Sequence, residues 1–227
     1  MNELLFLLQT CFVAASVLVA YRWGREALTA LFCLLAFLSN LFLFKQMEFL
    51  GLTITCSDTY AIGCFLSLGL LQHHYGEKMA RRASFLCFYL IAFCVVSEKI
   101  HVLYFPSPHD HYHGIYKELF SASPRVLISS LFTAFTAQML SLFLQRQIKR
   151  RWPQLPHTLA LFLSIALAHG YDTVLFSFLA LYGIMYSLSS LIIISYGVKL
   201  ISLACMAPFI ALSKKFSPRI LHDDLPL

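Results

Sequence analysis

Between Thr158 and Ser213 the chain carries only two charged side chains, Asp172 and Lys199, in a stretch far too long to cross a bilayer once. No other feature limits the possible folds so tightly. A backbone surrounded by lipid must satisfy its amides internally, which leaves helices as the spanning form for a run of this kind. About 20 apolar residues cross the ~30 Å of hydrocarbon. Comparable apolar runs cover residues 3–20, 27–45, 52–72, 84–105 and 121–144, and the long final stretch divides into 158–180 and 188–212. The breaks fall at Tyr21–Glu26, Lys45–Gly51, His73–Arg82, Glu98–Phe120 and Gln145–His157, with a last tight turn expected over Tyr182–Ser187, where Gly183 permits it. Charged residues make up 12% of the chain and hydrophobic residues 59%, at a mean hydropathy of +0.73. A soluble domain carries about 25% charged residues. The expected fold is therefore all-α: a polytopic transmembrane bundle of about seven helices, forming one integral membrane domain over residues 1–227.

Charge sets the expected orientation. With the amino terminus outside, one set of loops holds Arg22, Arg25, Lys78, Arg81, Arg82, Arg146, Lys149, Arg150, Arg151, Lys214, Lys215 and Arg219, and the other holds Lys45, Lys99 and Lys117. Lys and Arg accumulate on the cytoplasmic side, so the pattern predicts an outside amino terminus and a cytoplasmic carboxyl terminus. The net charge of +6 is thus spent on topology, and no nucleic-acid partner is expected. The first span follows Met1-Asn2-Glu3 with its basic residues after the apolar core, which predicts a retained helix rather than a cleaved signal. The seven cysteines, Cys11, Cys33, Cys56, Cys64, Cys87, Cys94 and Cys205, are placed within spans without ligand spacing and read as buried small apolar residues. There is no GxxxxGK[ST] loop, and no soluble enzyme class, metal or other cofactor is expected. His101 and the run His109-Asp110-His111-Tyr112-His113 read as a solvated loop, since no cysteine or carboxylate cluster completes a zinc site. The run Gln145–Trp152 reads as a basic loop touching anionic lipid headgroups.

Ionisable residues inside spans are costly and face a partner or a water-filled cavity. Asp172 in the sixth span and Lys199 in the seventh fall at similar depth from the same side, so they are expected to pair across antiparallel helices. Asn40, Asp58 and Arg125 lie toward that same outer side, and His169, Asp172 and Thr173 share one helix face. Such a cluster suits a flat polar heteroaromatic solute, bound by a carboxylate that accepts two N–H donors and by rings stacked on its face. Buried neutralisation of one ion pair, with hydrogen bonds between helices, would explain the same residues without a ligand.

The motif His73-His74-Tyr75-Gly76-Glu77-Lys78-Met79-Ala80-Arg81-Arg82 resembles the cytoplasmic Tyr-Gly-Lys-Lys-x-Ala-Arg signature of the queuosine precursor transporters, the vitamin uptake transporter family. Asn40 and Lys45 with Gly51, then Ser123-Pro124-Arg125, Asp172-Thr173-Val174-Leu175-Phe176, Val198-Lys199 and Ala207-Pro208-Phe209 are similar to that family's further motifs, in its order. The resemblance implies an inner-membrane carrier for 7-deazaguanine precursors of the tRNA nucleoside queuosine. It also implies a core like the six-helix substrate-binding subunits of energy-coupling-factor transporters, working without an ATPase module. Gly69 and His73 stand where the family usually has acids, Ser141 where it often has an aspartate, and His169 where it prefers a glutamine. Fewer acids suit a less cationic ligand than the aminomethyl precursor, such as queuine or the nitrile form.

The sequence therefore predicts a bacterial inner-membrane importer of a 7-deazaguanine base. Its candidate binding residues are Asp172, Lys199, Asn40, Asp58, Arg125 and His169; membrane lipid surrounds it, and no obligatory protein partner is expected. The rivals are a vitamin-binding subunit that needs a separate ATPase module, an intramembrane enzyme using His169 and Asp172 as acid and base, and an assembly protein.

Overall fold

The computed structural model describes residues 1–43, 45–49, 51–120, 124–183 and 188–213. Among them are seven long helices, α1 (Asn2–Trp23), α2 (Arg25–Leu41), α3 (Asp58–Tyr75), α4 (Glu77–Val102), α6 (Pro124–Arg151), α7 (His157–Phe176) and α8 (Leu188–Ser213). A short α5 (His113–Leu119) lies in the connection after α4. The polytopic helical bundle is the fold expected from the apolar runs. Asn2–Trp23, Glu77–Val102, Ile128–Arg151, His157–Ala180 and Ile192–Phe209 are each long and apolar enough to cross a membrane by themselves. Their outward faces carry large apolar side chains such as Phe12, Phe85, Phe93 and Ile193, each more than half exposed. In water a surface of this kind would aggregate; in lipid it is the solvated face.

α3 differs from the other long helices because its surroundings are protein. Every residue from Ile62 to Leu71 is buried, and the helix packs against α1, α2, α4, α6, α7 and α8. A helix enclosed on all sides can hold polar groups that lipid would exclude, and α3 accordingly carries Asp58, Thr59 and Ser67 in buried positions.

Single residues join α1 to α2 and α3 to α4: Gly24 (φ 116°, ψ −177°) and Gly76 (φ 87°, ψ 164°). Both fold the chain sharply back in a backbone region that costs any other residue about 1–3 kcal/mol. Gly76→Ala is expected to lower the melting temperature of detergent-purified protein by about 5 °C. A thermal-shift assay checks this, and an unchanged transition would mean that the turn relaxes without strain.

The two ends of the bundle differ chemically. Gly24, Gly76 and the connection after Arg151 lie at a basic end with Arg22, Arg25, Lys78, Arg81, Arg82, Arg146, Lys149, Arg150 and Arg151. Residues 145–151, expected as a loop, are instead the helical end of α6. Lys214, Lys215 and Arg219, assigned to the same group, lie outside the described residues, as do Ser123 and positions 184–187 of the expected last turn. Tyr182 and Gly183 do form a turn there, Gly183 at φ 81°.

The opposite end holds an element that the sequence reading missed. β1 (Gln46–Phe49) pairs antiparallel with β2 (Leu52–Thr55), in register Gln46↔Thr55 and Phe49↔Leu52. The third span thus begins at Asp58 rather than 52, and Cys56 lies between β2 and α3 rather than within a span. Burial of the cysteines is also only partial: Cys64 and Cys87 are buried, whereas Cys11 is exposed. The hairpin is anchored by Phe49 against Phe6 (ring centroids 4.8 Å apart), by an apolar cluster of Phe6, Phe49, Ile54 and Val198, and by Asn2 Nδ2 donating to Glu48 O at 2.9 Å. It ties α1 to α8 at what we call the hairpin end.

In the connection after α4, Asp110 Oδ1 accepts hydrogen bonds from the backbone N–H groups of Tyr112 (2.8 Å) and His113 (3.1 Å), forming a turn that starts α5. Among the described residues, no group of three or more His, Cys, Asp or Glu side chains is arranged to hold a metal.

Candidate functional site

Six helices line a cavity of about 160 Å³ in the hairpin half of the bundle, α4 only through Ile91. α2 contributes Ser39 and Asn40; α3 contributes Asp58, Cys64 and Phe65. α6 contributes Ser130, Thr133 and Gln138, and α7 contributes Asp172, Thr173 and Phe176. Lys199 and Ser195 of α8 close one side, and Thr55 and Ser57 of the hairpin connection line the rim.

The expected ion pair is present. Lys199 Nζ lies 3.1 Å from Asp172 Oδ2 and also donates to Thr173 Oγ1 at 3.0 Å, with side-chain exposures of 11% for the lysine and 18% for the aspartate. Thr173 follows Asp172 on α7, so one cation from α8 is held by two successive residues. Asp58 is the first residue of α3 and only 4% exposed. The unpaired N–H groups and dipole of the helix start favour a carboxylate there. Two carboxyl groups face the cavity against a single lysine, a local excess of acceptors over donors.

Asn40 lines the cavity, yet its amide is engaged: Nδ2 donates to Ala36 O of its own helix at 3.0 Å, and Oδ1 accepts from Ser130 Oγ of α6 at 2.8 Å. It fixes the width of the cavity between α2 and α6. His169 is 1% exposed and lies behind the cavity wall, its ring 4.3 Å from that of Phe65, and neither ring nitrogen has a hydrogen-bond partner. Tyr196 donates to Ala166 O at 3.3 Å and holds α8 to α7.

Arg125 lies outside the cavity lining and caps a helix end. A π-helical turn, Ser177–Leu181, follows α7, and Arg125 Nε and Nη2 donate to Leu179 O (2.7 Å) and Tyr182 O (2.9 Å). Such turns leave carbonyls without intrahelical donors, and the guanidinium supplies them. Because Ser177 and Phe176 border the cavity, the arginine holds the wall in place from behind. Arg125→Ala is expected to reduce uptake by about three- to tenfold through loss of two charge-assisted hydrogen bonds, with Arg125→Lys restoring it only in part. Unchanged uptake kinetics in both variants would show that the wall does not depend on this cap.

The serines and threonines of the lining were not singled out from the sequence. Their signal was present on α6, where Ser130 and Thr133 are one turn apart with Gln138 farther along, but polar residues at that spacing also serve as ordinary helix contacts.

Comparison with known proteins bears on this geometry. The family model described as "Putative vitamin uptake transporter" matches residues 57–213, more than half of the chain. The chain belongs to this family. The transporter is therefore a multi-pass membrane protein that moves a solute, and not an enzyme. It is 28% identical over 214 residues to the "Probable queuosine precursor transporter" of Bacillus subtilis (strain 168), an alignment covering 89% of this chain and 90% of that protein. No solved structure matches the transporter. The matched family region contains Asp58, Arg125, His169, Asp172 and Lys199.

Proposed function

We propose that the transporter imports a queuosine precursor, a 7-deazaguanine base, across a bacterial inner membrane with its basic end in the cytoplasm. The observation that carries this reading is the ion pair facing a cavity rich in hydroxyl and amide groups, in a chain similar over nine-tenths of its length to a protein named for that substrate. A guanine-like edge offers two adjacent N–H donors, and the Asp172 carboxylate can accept both, as charge-assisted bidentate pairs do. Lys199 neutralises Asp172 when the site is empty and turns toward the ring carbonyl when it is filled. Phe65 and Phe176 offer faces for stacking. Asp58 adds acceptor capacity at the rim, and Asn40 and Ser130 set the spacing of α2 and α6. The acceptor excess favours neutral or cationic donor-rich bases and disfavours anions. The basic loops fit the cytoplasmic side, and in this reading the cavity faces the outer half of the membrane.

Purified protein in liposomes tests this reading directly. Uptake of radiolabelled 7-cyano-7-deazaguanine, its aminomethyl analogue or queuine without any added protein is the expected result. Binding of a base with no uptake until an ATPase module is supplied would instead make the chain a substrate-binding subunit.

A further inference from the structure

The cavity ends at Gln138 and Cys64, and the same two helices that form its floor are locked together about 10 Å farther toward the basic end, seven residues on at ~1.5 Å each. There the side chains of Gln72 on α3 and Gln145 on α6 exchange hydrogen bonds with each other's helix. Gln72 Nε2 donates to Leu142 O at 2.9 Å, and Gln145 Nε2 donates to Gly69 O at 3.3 Å. Each glutamine reaches the carbonyl three residues before the other, so the two bonds form a reciprocal clasp. Both accepting carbonyls lie inside helices, where their second lone pairs are available to a side chain.

The clasp is incomplete in one respect. The Oε1 atoms of Gln72 and Gln145 are both buried and accept no hydrogen bond. Buried acceptors in native proteins are satisfied in the great majority of cases, and each exception calls for a reason. Two such exceptions on facing amides, below a cavity for a donor-rich solute, share one explanation. Above them, Thr133, Gln138 and Ser141 continue along α6 toward the ion pair, all buried. Around them α3 and α6 pack against their neighbours: a Cβ at Gly69 would collide with Leu161 of α7, the His73 ring stacks on His157 of α7, and Arg146 Nη1 reaches Glu77 Oε2 of α4 at 3.1 Å.

We propose that the Gln72–Gln145 clasp is the inner gate of the transport path, and that its two amide oxygens form a transient second station for the N–H edge of the departing base. In the present state the amide donors hold α3 against α6 and the acceptors face no partner. When α3 and α6 part, the carbonyls of Gly69 and Leu142 and both Oε1 atoms become available together. They form a set of four acceptors that suits the same donors Asp172 binds above. The gate rests on the transport reading given above, and it can fail independently of it.

The test is a Gln72→Cys/Gln145→Cys protein treated with a short bifunctional thiol reagent, with the parent protein treated alongside to account for its native cysteines. Binding and liposome uptake of 7-cyano-7-deazaguanine, the aminomethyl analogue and queuine are read separately. Cross-linked protein is expected to bind within about twofold of the untreated variant while uptake falls more than tenfold, restored by dithiothreitol. Cross-linked protein that transports at the untreated rate would overturn the gate. A second readout needs no substrate. Ser141→Cys, buried just above the clasp, is expected to resist a membrane-impermeant maleimide in the parent background. With Gln72→Ala/Gln145→Ala added, it is expected to react from the basic side, while thermal-shift measurements confirm folding. Equal protection in both backgrounds contradicts the gate, even if none of the three bases turns out to be the substrate.

Discussion

The Asp172→Asn protein is expected to insert into the membrane normally and to lose about 99% or more of its uptake. The substitution keeps the shape of the side chain and removes its charge. Lys199 then remains at 11% exposure beside a neutral amide that cannot match its charge. Removing one partner of a fully buried pair costs about 3–5 kcal/mol, and this part-buried pair falls toward the lower end of that range. Part of that cost falls on folding and part on the site, since an amide also presents an N–H group where a guanine-like edge presents its own donors. A loss of ~2.8 kcal/mol in the site alone is a hundredfold in uptake efficiency. Uptake at low substrate concentration, normalised to membrane-inserted protein, is the measurement. Normal uptake by this variant removes Asp172 from the transport mechanism.

The larger contrast comes from removing both charges. Asp172→Asn combined with Lys199→Met is expected to recover most of the thermal stability lost in the single variant while uptake stays at least ~100-fold below the parent. A buried ion pair contributes little net stability over a well-packed neutral replacement, so the fold should tolerate the exchange. A carrier that reads donors with its carboxylate should not. The double variant therefore separates the two meanings of the pair. If stability and uptake both return, the pair only neutralises two buried charges. If stability returns alone, the charge is used on the ligand. Melting temperature and liposome uptake on the same preparations decide the matter.

The features legible in the sequence were those with a strong solvent cost. Lipid enforces apolar runs of fixed length, so the number and order of the long helices could be read, and the pairing of Asp172 with Lys199 followed from depth. The charged ends of α4 and α6 could not, since α4 starts at Glu77 rather than 84 and α6 runs on to Arg151 rather than 144. The hairpin was missed although its signal was plain. Gln46-Met47-Glu48-Phe49 and Leu52-Thr53-Ile54-Thr55 alternate with period two around Gly51, but a search for 20-residue apolar spans absorbed the second strand into α3. Asn40 and Asp58 were placed at the cavity because they lie near helix ends facing the same way as the pair. Arg125 and His169 show the limit of that reasoning: sequence depth puts them at the right level, whereas their rotational positions send one to the carbonyls of the π-helical turn and the other behind Phe65. The Gln72–Gln145 clasp was out of reach because it depends on α3 and α6 meeting across about 70 residues of sequence, and glutamines at helix ends read as ordinary polar flanks.

The measurement closest to the central claim is queuosine content in tRNA. The chain is expressed in a bacterium that can neither make queuosine precursors nor import them, and that carries the enzyme needed to use each base. The nitrile base, the aminomethyl base and queuine are then fed singly at low concentration. Restoration of queuosine by at least one base, lost again with Asp172→Asn, is the expected result and names the substrate. Absence of queuosine with all three, at confirmed membrane expression, would contradict import of a queuosine precursor and direct the search to another solute of this vitamin transporter family.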